Sequence, residues 1–577
     1  MVNQKIEAVK TEVNDVIVIG AGPHSLAICS RMLEKNPSAI YTDLEHARLS
    51  WLNKYKRLNY KPKGFKRKLV NNPNDMDGLS VRVFDKHVNQ GWMPHWYCMF
   101  ENLEIRSLRS PMFFHSSPRD VDALLAYAYS NGRQNELQDI PGVVGKELSK
   151  HAKKRLVKTG KRPSYEDPVN ERYVNRQDFR TPGSKCFFDF CREDIQQYYG
   201  IDSLVQQADI VNLEYDYFDE NIPDKIFRLT GKDGRQTLSK TVVMAIGNNT
   251  IVNLPSYLAD KVKPTTEHGV EGDGWCHTSS FARPGYDFPN KHLRAKSDAR
   301  LLVVGGGLTS AQIIDKAYRN GITNITLICR SHLKMKPFDF DTEWVDKFQN
   351  LSKMIFWRED CRQMRHSMIS KARNGGSVNA PYYKLLKDLE NKGVLKILTC
   401  TEITEAKYND SRWDVKATTK TAMRSRRTSK DTSFGDMKME NHQLMFDYIV
   451  SATGSKIDIN EVDFLKKFMK ENPIETTNGL PHITEDLQWT SDIPLFVMGG
   501  FASLELGPSS FNLGGSRDGA ERIANRMNEI LVKHNKEYEI RQSKHSEYND
   551  DDLRYKWMER LALNNGGYFD LLTESDE

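Results

Sequence analysis

Two stretches of this chain have the composition of a phosphate cradle. The first is Asp15-Val16-Ile17-Val18-Ile19-Gly20-Ala21-Gly22-Pro23-His24-Ser25, and the second is Leu301-Leu302-Val303-Val304-Gly305-Gly306-Gly307-Leu308-Thr309-Ser310-Ala311. In each, an apolar run ends in glycines and a helical pattern follows at once. Amides at such a helix N-terminus, with the helix dipole behind them, favour a pyrophosphate. Gly20 suits the tight turn, Gly22 lets a phosphate approach the backbone, and Ser25 is small enough for the helix to pack on the strand. Gly305, Gly307 and Ser310 repeat that set. One copy alone reads equally well as a structural turn, so the repetition carries the argument.

A dinucleotide fold also needs a second strand that ends in a group for the ribose. After the first turn two acids compete. Asp43 ends the short, mixed run Ser38–Asp43, whereas Asp85 ends Leu79–Asp85, which alternates better and is rich in β-branched residues. Asp85 is preferred, which makes 41–78 a basic, aromatic insertion. That insertion reads as a solvated loop or as a surface for an anionic partner. After the second turn the strand Ile325–Arg330 ends in Arg330 instead of an acid. A guanidinium there can hold the 2′-phosphate of NADPH, although an exposed arginine of no function reads the same way.

Between the turns the chain becomes aromatic. Trp92, Trp96 and Phe100 precede Leu108-Arg109-Ser110-Pro111 and His115. These residues could flank a flavin ring and a phosphate, or form a local core. The predicted helix over 172–197 starts through Thr181-Pro182. Residues 256–298 read as a polar connection in which Trp275-Cys276-His277-Thr278-Ser279-Ser280-Phe281 stands out. Strands then run into Ala452-Thr453-Gly454 and into Gly499-Gly500, with Gly507 beyond, and a helix over 517–532 closes the fold.

The elements that must position these groups are βαβ units, so the fold class is α/β: two Rossmann-like dinucleotide-binding domains, one nested in the other. The expected boundaries are a flexible N-terminus at 1–13, a first domain at 14–295 and 443–533, a nested domain at 296–442, and a charged tail at 534–577. Residues 419–441, rich in Ser, Thr, Lys and Arg, read as a disordered hairpin extension. A length of 577 residues fits two or three domains. The net charge of +6, from 83 basic and 77 acidic residues, is too balanced for nucleic acid to be the main partner. No apolar run reaches the ~18 residues of a membrane span, and the N-terminus is unlike a secretory signal.

The eight cysteines show no metal spacing, which points to a reduced, cytoplasmic protein with no bound metal. Cys186 and Cys191 stand five apart. On a regular helix they would sit about 140° around and ~7.5 Å along the axis, too far to bridge without distortion.

The two glycine turns, each paired with a strand exiting at Ala-x-Gly, resemble those of the two-dinucleotide-domain flavoproteins. The Gly20-Ala21-Gly22-Pro23 opening and the Ala452-Thr453-Gly454 exit are similar to those of the single-component flavin monooxygenases, especially the ornithine/lysine N-hydroxylases. The Trp92 to His115 run resembles the oxidative-stress-induced growth inhibitor group most. Trp275-x-His277-Thr278-x-x-Phe281 partly matches a linker motif of flavin monooxygenases, with Phe in place of Tyr.

The resemblance implies FAD at the first turn and NADPH at the second. It implies a C4a-hydroperoxyflavin that passes one oxygen from O₂ to a small-molecule nitrogen, sulfur or carbonyl. His277, Arg109 and His115 are the candidate catalytic neighbours. Gly20, Gly22, Pro23, Ser25, Asp85, Trp92, Trp96, Arg109, Gly305, Gly307, Ser310, Arg330, Thr453, Gly454, Gly500 and Gly507 are the candidate cofactor residues. The same resemblance permits a flavin-bound stress or growth regulator with little turnover. A homo-oligomer is compatible with it, as is a protein partner on the basic insertions.

Overall fold

The computed structural model describes residues 13–34, 79–87, 91–141, 143, 179–218, 222–247, 251–263, 269–345, 349–422 and 437–542. The N-terminus, the 41–78 insertion and Asp43 lie outside them.

The first turn joins β1 (Val13–Ile19) to α1 (Pro23–Leu33), with Pro23 in the first helical turn, where its missing N–H costs nothing. β2 (Val81–Asp85) follows, then α2 (Pro94–Asn102) and α3 (Ser184–Phe190). The predicted helix over 172–197 therefore begins only at Ser184, and it continues as a π-helix through Cys191–Gln197. Both of its cysteines are free and buried. β3 (Val205–Gln207), β4 (Ile210–Asp216), β5 (Ile226–Gly231) and β6 (Gln236–Met244) complete this part.

The second part opens with β7 (Trp275–His277), then β8 (Arg300–Val304), α4 (Leu308–Arg319) and β9 (Asn324–Ile328). Three helices follow: α5 (Gln349–Trp357), α6 (Arg362–Arg373) and α7 (Ala380–Asn391). The strands β10 (Leu395–Leu398), β11 (Thr401–Asn409), β12 (Arg412–Ala422), β13 (Met437–Phe446) and β14 (Tyr448–Ser451) come next. The chain ends its described course with β15 (Gln488–Thr490), β16 (Ile493–Val497) and α8 (Leu513–Gln542).

Two mainly parallel sheets organise these elements, each with an antiparallel edge. The first runs β15-β16-β6-β1-β2-β3, and β5 joins β6 to β4 as an antiparallel flank. Val16, Ile17 and Val18 of β1 are fully buried, as a strand covered on both faces must be. α1 is pinned to α8 by Arg31, whose Nε donates to Glu521 Oε2 at 2.5 Å. The second sheet runs β7-β14-β8-β9-β10 after a short Glu271–Gly272 edge, and β11-β12-β13 form a separate antiparallel sheet.

This topology moves the expected boundaries. β7 and β14, placed by sequence outside the nested 296–442 domain, are strands of its sheet. The 256–298 connection therefore supplies a strand, and Ala452-Thr453-Gly454 exits the second sheet. The stretch that runs into Ala452-Thr453-Gly454 is broken between β13 and β14 at Asp447, whose carboxylate is pinned by Lys296 and the Arg300 amide. The 419–441 segment is ordered at both ends, with β12 and β13 paired as far as Ala422 and Met437. α8 starts four residues earlier than expected and runs through the supposed start of the tail.

The segment from Phe338 to Ala372 also departs from the nested scheme. It lies between β9 and β10, yet Phe338, Phe340, Trp344, Phe356 and Ile369 belong to the core of the first sheet. Burial of these aromatics decides where the segment packs, because each removes a large apolar area from water.

Candidate functional site

Both glycine turns sit at the carboxyl ends of parallel strands, where an open α/β sheet leaves a crevice for ligands. Their glycines divide into two kinds. Gly20 has φ +99°, and a Cβ on it would come within 2.5 Å of the Ala245 carbonyl oxygen. Gly305 has φ +137°, and its Cβ would meet the Ala452 oxygen at 2.2 Å. Each is required by the neighbouring strand, so fold alone demands it. A Cβ on Gly22 would meet nothing within 4 Å, and one on Gly307 only Gly376 Cα at 3.9 Å. The space over these two positions is what a pyrophosphate needs.

The first turn is held from several sides. Asp85 Oδ2 accepts the Ala21 amide at 2.8 Å, so the acid at the end of β2 is in contact with the turn. Ser25 Oγ donates to the Gly20 carbonyl at 2.5 Å, and Ser116 Oγ to the Pro23 carbonyl at 2.9 Å. The Met93 amide donates to the Ala21 carbonyl at 2.7 Å, which brings the aromatic run against the turn. His24 adds a group that motif reading passed over. Its Nδ1 is buried without a hydrogen-bond partner among the described residues, beside the cradle, and burial lowers its pKa to about 4. An orphaned polar atom and an open glycine face fit a bound dinucleotide.

The second turn is flanked by different groups. Ser310 Oγ is buried and unpartnered among the described residues. Arg330 is exposed at the end of the second strand of the βαβ unit, with no hydrogen bond or ion pair to the described protein groups. Lys334 and Lys336, beside it in sequence, are engaged with Asn374 and Asp341. His277 ends β7 opposite Ser451 of β14. Its Nδ1 accepts the Ser279 amide at 3.0 Å, and burial lowers its pKa to about 4 against the opposing effect of the Gly454 backbone. Thr453 Oγ1 donates to the Asn253 carbonyl at 2.5 Å, tying the strand exit to the chain that leaves the first sheet.

Several candidates are occupied by structural work. Arg109 donates to the carbonyls of Lys336, Pro337, Phe338 and Ser377 and to Ser377 Oγ, so its fork has little left for a phosphate. Burial lowers its pKa to about 10. It tethers the aromatic run to the segment after β9, which corrects its assignment as a cofactor or catalytic neighbour.

His115 is likewise a core residue. Its Nε2 meets the Val121 carbonyl at 3.0 Å, its Nδ1 accepts the Ser117 amide, and burial holds its pKa well below the ordinary range. Trp92 is buried and donates its indole N–H to the Ile201 carbonyl at 3.0 Å, so it packs instead of stacking on a ligand. Trp96 is half-buried and stacks on Phe100, with ring centroids 5.8 Å apart. Gly500 follows β16 at the carboxyl end of the first sheet, and Gly507 lies against Trp344. Burial also pushes the Cys186 thiol up to about 11 and Cys191 higher still, which suits packing and not exchange.

Motif reading also missed the loop 374–377. A Cβ on Gly376 would lie 3.1 Å from both N and Cα of Gly307, so this loop rests on the second glycine turn. The Gly375-Gly376 doublet was its signal. Glu104, which pairs with Lys316 and Arg319 of α4 and so joins the two units, had no motif to announce it.

The family model for L-lysine 6-monooxygenase/L-ornithine 5-monooxygenase matches residues 189–456. No curated protein matches the chain. Among solved structures it is similar to an ornithine N-hydroxylase from Kutzneria sp. 744 with reduced FAD, NADP⁺ and L-ornithine. The identity is 15%, over 90% of this chain and 100% of that one, with a TM-score of 0.54. L-lysine 6-monooxygenase from Pseudomonas syringae gives 14% identity, 90% and 100% coverage, and 0.52. An FAD-bound cadaverine monooxygenase from Erwinia amylovora gives 13%, 90% and 95%, and 0.51. The chain has the fold of the two-dinucleotide-domain flavin monooxygenases, and within it residues 189–456 match the lysine/ornithine monooxygenase family model.

Proposed function

We propose that this protein is an NADPH-dependent flavoprotein monooxygenase that adds one oxygen atom from O₂ to a small-molecule nitrogen, sulfur or carbonyl group. The observation that carries the reading is the pair of glycine turns, each with one glycine required by the fold and one facing open space. Gly22, with Asp85 and His24 beside it, would hold FAD. Gly307 and Ser310 would hold the NADPH pyrophosphate, and Arg330 its 2′-phosphate. Bound FAD supplies the redox and oxygen chemistry.

The chain's own residues bind, orient and exclude water. Arg109 and Glu104 fix the second unit against the first, and a fixed geometry is what hydride transfer between two bound cofactors needs. His277, kept neutral by burial, is the candidate to hold or pass a proton at Nε2. The family match and the structural likenesses support the monooxygenase reading. The Leu108-Arg109-Ser110-Pro111 run supports a place nearer the growth inhibitor group, and eight cysteines with no disulfide among the described residues suit the cytoplasm.

The test is stoichiometry. With FAD-loaded protein and a panel of amines, thioethers and ketones, NADPH oxidation should yield oxygenated product in proportion for at least one class. One hydrogen peroxide per NADPH across the whole panel would refute the monooxygenase reading in favour of a regulator with little productive turnover.

A further inference from the structure

Outside both cradles, one thiol and one imidazole meet. Cys400 follows β10 and His332 follows β9, and these parallel neighbours place both residues at the carboxyl edge of the second sheet. The Cys400 sulfur stands 3.5 Å from His332 Nε2 and 3.7 Å from Nδ1. The backbone fixes the position of Cys400. The Cys329 amide donates to the Leu398 carbonyl at 2.9 Å, and the Thr401 amide donates to the Cys329 carbonyl at 3.0 Å. Cys400 therefore lies across from Cys329, one residue from Arg330.

Solvent reaches few of the thiols. Cys29, Cys98, Cys186, Cys191, Cys276 and Cys329 are buried, whereas Cys361 is exposed and Cys400 partly so. Cys361 caps α6, with no imidazole at hydrogen-bonding distance among the described residues. No third histidine, cysteine or carboxylate joins Cys400 and His332 to make a metal site among the described residues. A half-exposed thiol with an imidazole against it has a base for its proton and an open path for a small oxidant.

We propose that Cys400 is a peroxide-reactive thiol with His332 as its base, and that its oxidation weakens nucleotide binding at Arg330. The second clause rests on the NADPH reading above. The oxidant is hydrogen peroxide, the product of unproductive flavin turnover. The sulfur attacks one peroxide oxygen and the O–O bond breaks. Sulfur is oxidised to the sulfenic acid and the second oxygen leaves as water. His332 takes the thiol proton and returns it to the departing hydroxide. Two equivalents of a thiol reductant restore Cys400, with release of water and formation of a disulfide of the reductant. The sulfenic oxygen adds polar bulk where the adenosine end of the nucleotide would lie.

The test uses the full-length flavin-loaded protein with hydrogen peroxide and dimedone, and quantifies adducts by peptide mass spectrometry. Cys400 should be labelled about tenfold faster than the more exposed Cys361. His332→Gln should slow Cys400 by about 100-fold, the low end for loss of a positioned base, and leave Cys361 unchanged. Equal labelling of the two thiols, or no effect of His332→Gln, overturns the thiol assignment.

NADPH binding is then titrated before and after oxidation. The Kd should rise several-fold in the native protein, recover with dithiothreitol, and stay constant in Cys400→Ser. A labelled Cys400 with unchanged NADPH binding overturns the link to the nucleotide. Parallel titration of untreated protein with NADH shows whether the Arg330 reading has itself failed.

Discussion

Arg109 holds Ser377 by two contacts: its Nη1 donates to the Ser377 carbonyl at 3.2 Å and its Nη2 to Ser377 Oγ at 2.8 Å. Gly376, the preceding residue, rests on Gly307 of the second glycine turn. One side chain from the aromatic run of the first unit therefore sets the position of a loop on the second cradle. Arg109→Ala would leave partly buried carbonyls at Lys336, Pro337, Phe338 and Ser377 without their donor. Charge-assisted bonds contribute about 1.5–3 kcal/mol each when one partner is lost, though not additively. A loss of roughly 3 kcal/mol in denaturant unfolding is expected, together with weaker NADPH binding. Arg109→Lys should rescue little, because an ammonium cannot span the fork. Wild-type stability in Arg109→Ala would refute the tether.

The two glycine kinds should separate by mutation. Gly22→Val places its side chain in open space at an ordinary φ of −78°, so the protein should fold yet purify without FAD. Gly20→Ala forces a Cβ onto the Ala245 carbonyl at positive φ, costing about 1–3 kcal/mol in backbone strain alone, so it should lose stability. Circular dichroism and flavin absorbance distinguish the two. Full FAD content in Gly22→Val would reject the first turn as the flavin site.

Arg330 should select NADPH over NADH. It is exposed at the end of β9's turn and has no partner among the described residues to release. A charge-assisted contact of ~1.5–3 kcal/mol corresponds to about 10- to 150-fold in affinity. Arg330→Ala should raise the KM for NADPH by that order and leave NADH nearly unchanged. Equal losses with both nucleotides would mark a structural effect instead.

Acid should destabilise the fold through three histidines. Burial lowers the pKa of His24 and His277 from 6.5 to about 4, and that of His115 well below 6.5. The unfolded chain binds protons near pH 6.5, whereas folded His24 and His277 refuse them until about pH 4 and His115 stays neutral well below its ordinary range. Unfolding thus takes up protons in that window. The stabilisation is fully present above pH 6.5 and is lost as pH falls toward 4. For His277 it amounts to about 3 kcal/mol, at 1.36 kcal/mol per pKa unit. The denaturant midpoint should fall steadily from pH 7 to 4.5, and His277→Gln should remove about one proton from the measured uptake. A flat profile would contradict the burial of these rings.

What the sequence determined by itself was local. A strand, a glycine turn and a helix follow one another within about ten residues, so the apolar runs ending at Gly20 and Gly305 could be read as βα units without knowing what surrounds them. The end of β2 at Asp85 was legible for the same reason, through alternation and β-branching.

Tertiary structure decided what each long-range group does. Arg109 has the type and position of a phosphate ligand, yet the carbonyls that fill its fork come from residues more than two hundred positions away. His115 and Trp92 look like site residues until the core closes around them. The parallel sheets recruited β7 and β14 from outside the expected nested domain, because a parallel strand finds its neighbours through crossovers that local pattern does not encode. Phe338 to Ala372 joined the first core for a similar reason: burial of aromatic area is non-directional and is satisfied wherever the folded chain leaves room.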